Sequence, residues 1–220
     1  VFVGIQVSNW NAEREINKKS AVFTERLKTD LSGEAWGYEY LILYNKDILA
    51  NAERVLSVLD GETEMNDEQF VISAYRASQY KYNVRQRATY DEMISTGSID
   101  LISDQTLRKT AVEIYTSTLF DEVSRDGQKS EYREIFRKSV SKDVQHALLK
   151  QCGDRYVEPL DYDLIVKSLD YPCTLDVPAE IISAAADSLR VNPELVPALQ
   201  FRFADVETAI ADLDFYNPNL

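Results

Sequence analysis

The chain has 220 residues, 45% apolar and 28% charged, which excludes disordered and fibrous classes and leaves enough length to bury a core. A formal net charge of −13 sets it against the nucleic-acid backbone and anionic lipid headgroups as whole-protein partners. Seven glycines and six prolines are too few for a many-turned β-sandwich and argue for long helices.

The first residues, Val1-Phe2-Val3-Gly4-Ile5-Gln6-Val7, are apolar but too short to cross a bilayer, which takes about 20 apolar residues. Ser8-Asn9-Trp10-Asn11 follows, then a mixed-charge run through Glu13, Arg14, Glu15, Lys18 and Lys19. An apolar stretch ending in a Trp between amides reads in two ways. It is the last part of a membrane helix leaving the headgroup layer, anchored by Val1, Phe2, Val3, Ile5, Val7 and Trp10, or a buried first strand or helix start. A first helix is predicted as far as Leu31, through Ile16, Phe23 and Leu27, with Ser32-Gly33 as its stop. A second carries Tyr38, Ile42, Asn45, Leu49, Ala52, Leu56 and Leu59 on one face, widened by Leu41, Ile48 and Val55, and ends at Asp60-Gly61. A short glycine link between two such helices predicts an antiparallel hairpin.

Asn66 with Gln69 opens a helix carrying Phe70, Val71, Ala74 and Tyr75. Thr89-Tyr90-Asp91-Glu92 has the form of a capping box, and its short helix closes at Gly97. Ser103-Asp104 caps a helix with Leu107, Ala111, Ile114 and Thr118 on one face, broken by Asp126-Gly127. Tyr132, Phe136, Val140 and Val144 mark the next, ending before Cys152. All six prolines lie at or beyond Pro159. In that tail short helices are predicted over Asp161 to Leu169 and from Pro178 to about Leu189. Asn192-Pro193 then caps a last helix with Leu199, Phe203, Val206, Ile210 and Leu213 in line. No repeat or strand pattern interrupts this series, so the expected fold is all-α. It is a helical bundle built on a long antiparallel helix hairpin, with a C-terminal set of shorter Pro-punctuated helices. Residues 1–10 are expected to end a transmembrane helix, 11–158 to form the bundle, and 159–220 to pack as shorter helices on the same domain.

Catalytic sets are hard to assemble from these residues. The single histidine, His146, sits in a predicted helix and cannot make His-Glu-x-x-His or a di-iron ligand set. No nucleophile elbow or Gly-rich phosphate loop is present. A nucleophile–base couple of Cys152 with His146 lacks an electropositive setting, and a surface or helix-packing histidine fits better. The acidic stretch Asp60-Gly61-Glu62-Thr63-Glu64 with Asp67 and Glu68 lacks the alternating ligands of a calcium loop and reads as a solvated interhelical loop. Cys152 and Cys173 sit in turn-like surroundings, so they form a disulfide if the chain faces an oxidising space, or are two unrelated thiols if it does not. No metal or cofactor is implied. One segment stands out in an acidic chain: Tyr75-Arg76 through Tyr80-Lys81-Tyr82, Arg85, Arg87 and Tyr90. Tyr80, Tyr82, Arg85, Arg87 and Tyr90 read as a partner surface, because Tyr and Arg are preferred interface anchors. The plainer reading packs the rings inward and leaves the cations outside, and base stacking on nucleic acid is a third.

Several segments together resemble a bacterial family of unknown function. Val3-Gly4-Ile5-Gln6-Val7-Ser8-Asn9-Trp10-Asn11 followed by Glu13-Arg14 is similar to its membrane-exit motif, and Glu25-Arg26-Leu27-Lys28-Thr29-Asp30-Leu31 to the block after it. Thr89-Tyr90-Asp91-Glu92-Met93-Ile94-Ser95-Thr96-Gly97, with Ile99, Leu101-Ile102 and Leu107-Arg108, resembles its central block. Pro193-Glu194-Leu195 to Leu213 resembles the closing helix, and residues 152–178 are least covered. The resemblance implies a single span upstream of Val1, the lipid bilayer as a partner, and a helical domain on the periplasmic side of the bacterial inner membrane. It brings no catalytic residue. The expected function is a non-enzymatic, membrane-anchored interaction module, an accessory or scaffolding subunit docking on other membrane protein subunits, with no nucleic acid involved. The alternative is an extracytoplasmic ligand-sensing bundle, for which Asn45 on an apolar stripe is a candidate pocket group.

Overall fold

The computed structural model describes residues 2–82, 85–161 and 168–218, with side chains from Trp10 onward. Among the described residues the regular structure is helical throughout. The elements are α1 (Phe2–Leu59), α2 (Asp67–Ala77), α3 (Ala88–Ser95), a 3-10 turn (Ile99–Leu101), α4 (Gln105–Thr116), α5 (Leu119–Gln128), α6 (Glu131–Ser139), α7 (Lys142–Gln151), α8 (Ala179–Arg190) and α9 (Leu195–Tyr216). The helix expected over Asp161 to Leu169 falls mostly outside the described residues.

The chain forms two compact units. One comprises Val1–Gly37, Val84–Ser117 and Pro218–Leu220; the other comprises Tyr38–Asn83 and Thr118–Asn217. In the first, Phe23, Leu27 and Leu31 of α1 step by four and bury against Tyr90 and Met93 of α3, Ile102, and Ala111, Ile114 and Tyr115 of α4. In the second, two clusters grow from the stripe of α1. Tyr38, Leu41 and Ile42 pack with Phe120 of α5 and Leu213 of α9. Ala52 and Val55 join Phe70 and Val71 of α2, Tyr132 and Phe136 of α6, Val144 and Leu148 of α7, Leu189 of α8 and Leu199 of α9.

The expected hairpin does not form, because α1 runs unbroken through Ser32 and Gly33. Ser32 Oγ donates back to Lys28 O at 2.9 Å, a bond compatible with the helix interior. Gly33 is there for contact and not for a turn: a Cβ on it would lie 2.8 Å from Gln86 Cγ. In a helix interior glycine costs about 1 kcal/mol against Ala. Ile16, assigned to the buried stripe, is exposed, and burial along α1 begins at Phe23.

Other boundaries move for the same kind of reason. Gly127 lies inside α5, where a Cβ would meet Tyr80 Cβ at 2.7 Å, and the real break is at Ser117-Thr118. A second break, at Val140-Ser141, divides the helix expected before Cys152 into α6 and α7. Thr89 does not cap α3. It lies inside the helix, and its N–H is taken from α1 by Asp30 Oδ2 at 2.9 Å. Asn66 and Asp104 do cap α2 and α4, accepting from Gln69 N at 2.9 Å and Leu107 N at 3.1 Å.

Gly33→Pro is therefore expected to destabilise the protein by about 3 kcal/mol, since it removes a helical hydrogen bond and clashes with the preceding turn. Urea unfolding measures this. A loss under about 1 kcal/mol, as a proline in a true link would give, contradicts a continuous α1.

Candidate functional site

The stem of α1 comes first in the chain. Residues 10–19 are all exposed. Trp10 is 59% exposed, and Arg14 lies 5.5 Å from its ring centroid, which pairs an amphipathic aromatic with a cation one turn on. The side chains of Val1, Phe2, Val3, Ile5 and Val7 lie outside the described residues. Among the described residues no helix is long and apolar enough to cross a membrane.

The Tyr/Arg segment is divided by the fold. In the first unit, Arg85 Nε donates to Glu34 Oε2 at 2.6 Å, and Arg85 Nη2 and Nη1 reach the C-terminal carbonyls of α4, Ile114 O at 2.9 Å and Ser117 O at 3.4 Å. A cation at a helix C-terminus is favoured by the helix dipole. Glu34, wholly buried, also accepts from Gln86 N. Burial pushes its carboxyl above the ordinary range, with Arg85 and the Gln86 N–H pulling the other way. Tyr115 Oη closes the node on Gln86 O at 2.7 Å, and Tyr90 is buried against the Tyr115 ring with centroids 4.8 Å apart. Arg87 is occupied by Asp91, through bonds of 2.9 to 3.1 Å. In the second unit, Tyr80 is half-buried under Arg133, 4.8 Å from its ring, while Tyr82 is exposed and donates to Gln128 Oε1 at 3.0 Å. Arg85 and Tyr90 thus hold the fold together, and Tyr82 and Arg87 face solvent.

Cys152 and Cys173 are joined in a disulfide, so Cys152 has no thiolate to pair with His146, which is exposed. The bridged loop is fastened by Arg76, which is almost fully buried. It donates to Asp170 Oδ1 at 2.9 Å and Tyr171 O at 2.5 Å and reaches Cys173 Sγ at 3.4 Å. Arg54 takes Asp170 Oδ2 at 2.9 Å, and Asp170 N donates to Asp47 Oδ2 at 3.4 Å. Burial pushes Asp47 up to about 6; the Asp170 N–H, Arg76 and Arg54 oppose the rise, and the Asp170 charge adds to it.

A cleft of about 580 Å³ opens in the second unit between α1, α5 and α9. Asn45 lines it, donating to Leu41 O at 2.8 Å, together with Glu122, Asp126, Asp205, Asp212 and the buried Arg202. Burial pulls Arg202 down to about 10 against the attraction of Asp205. Sequence reasoning missed Arg202 because an arginine on a helix is ordinarily solvated. Its signal was position, three residues after Leu199 and four before Val206 on the apolar face. Among the described residues no three His, Cys, Asp or Glu side chains gather to hold a metal ion.

No family model, curated protein or solved structure matches this chain.

Two outcomes follow from this geometry. Glu34→Ala removes the buried carboxylate shared by Arg85 and the Gln86 N–H and is expected to cost about 3 kcal/mol in urea unfolding, with much of the loss recovered when Arg85→Met is added. Losses that simply add would contradict the node. Asp47 holds its proton more tightly folded than unfolded, so its contribution to stability falls as pH rises from about 4 to about 6. Asp47→Asn should therefore raise Tm at pH 7.5 by about 3 °C, for about 1 kcal/mol after screening by water, and the gain should vanish near pH 4. A gain that grows toward acid pH contradicts this sign.

Proposed function

We propose that this chain is a non-enzymatic helical module tethered to the bacterial inner membrane, its folded part on the periplasmic side, working by contact as an accessory or scaffolding subunit of a membrane protein complex. The observation that carries the reading is the solvated stem: α1 passes from its apolar first turns through the Trp10–Arg14 pair into the folded units without a break. A Trp and a cation at that place match the side chains favoured at a membrane–water interface. A continuous helix transmits position stiffly, at 1.5 Å per residue, which suits a tether better than a flexible linker would. The disulfide is compatible with an oxidising compartment. The resemblance to single-span bacterial proteins with an Asn-Trp-Asn exit motif points the same way.

The full-length gene product is expected to stay in the membrane pellet after carbonate washing and to bring a stoichiometric protein partner through mild-detergent purification. Recovery in the soluble fraction contradicts the tether. A clean monomer in mild detergent contradicts the docking role.

A further inference from the structure

Arg202 is out of place in the second unit. Its side chain is 4% exposed, it donates to Gln79 O at 2.9 Å, and its Nε meets no acceptor among the described residues. Among the described residues no carboxylate stands within ion-pair distance of it, although Asp205 is near enough to act on its charge. A buried guanidinium without a counter-ion costs several kcal/mol, and its planar fork is shaped for a carboxylate. The cleft it lines nonetheless has walls of opposite sign: Glu122, Asp126, Glu131, Asp205 and Asp212 outnumber Arg202 and Lys129. Asp126 and Asp205 act on each other as like charges, and Asp126 pairs with its neighbour Arg125 at 3.9 Å.

A cationic group is wanted at the walls and an anionic one at the base. A bare metal ion suits neither, since the carboxylates are too dispersed to gather around one. An ammonium needs only distributed acceptors. We propose that this cleft binds a small diamino monocarboxylic acid, its carboxylate on Arg202 and its ammonium groups among Asp126, Asp205 and the neighbouring wall carboxylates. The volume is within the range of small-molecule sites, and Asn45 adds a fixed polar group to it. The site lies wholly inside the second unit and stands whether or not the chain is tethered to a membrane.

Isothermal titration of the full chain with L-lysine, cadaverine and L-norleucine tests this. Cadaverine lacks the carboxylate and L-norleucine the second ammonium. L-Lysine should bind, each of the others about tenfold more weakly or less, and Asp126→Asn with Asp205→Asn should weaken L-lysine by at least about tenfold. Both residues line the wall, and because their charges also act on Arg202, urea unfolding of the variant beside the native chain separates loss of the site from loss of the fold. No L-lysine binding at millimolar concentration overturns the proposal, as do cadaverine binding as tightly as L-lysine and binding indifferent to the two asparagines.

Discussion

Glu34 sits inside a long helix with its carboxylate out of reach of water, and the first unit is arranged around that burial. The charge is answered by Arg85, whose remaining donors cap the carbonyl end of α4, and by the backbone N–H of Gln86. The bonds are charge-assisted and shielded from solvent, so they hold the segment after residue 84 against α1 more firmly than surface ion pairs could. A Cβ at position 33 would crowd the Gln86 side chain, which Gly33 leaves in place. The helix therefore continues where its composition suggests a stop.

That continuity shapes the functional reading. An unbroken α1 carries the stem directly into the first unit, whereas a hairpin would have ended it at a turn near Leu31. Trp10 on the stem is exposed, and the cleft of Arg202 and Asn45 opens between helices of the second unit. The disulfide and the Arg54–Asp170–Arg76 bridge tie residues 170–173 to the end of α7 and to α1 and α2.

What the sequence made legible was local. Asn66 and Asp104 cap their helices through bonds to residues three along, and the heptad face from Tyr38 to Leu59 is a periodic signal that needs no knowledge of partners. The all-helical class follows from the same periodicity and the scarcity of glycine and proline. What stayed hidden depended on atoms distant in sequence. Gly33 and Gly127 look like breaks until Gln86 and Tyr80 are seen against them. Thr89 looks like a cap until Asp30 is seen taking its amide. The Tyr/Arg segment drew notice by composition, yet Arg85, Tyr90 and Tyr80 are turned by Glu34, Tyr115 and Arg133, none of them adjacent in sequence. Arg202 was masked by its type: charge suggests water, and only packing against Gly127 and Gln79 buries it.

The central claim is that α1 is one helix across Ser32 and Gly33, pinned there by Glu34. Native-state amide hydrogen exchange of the full chain, read residue by residue from Thr29 to Glu39, tests it most directly. A continuous helix predicts that the amides of Gly33 to Trp36 exchange as slowly as those of Leu31 and Tyr38 on either side. Fast exchange confined to Gly33–Trp36 would mark a turn and contradict the account.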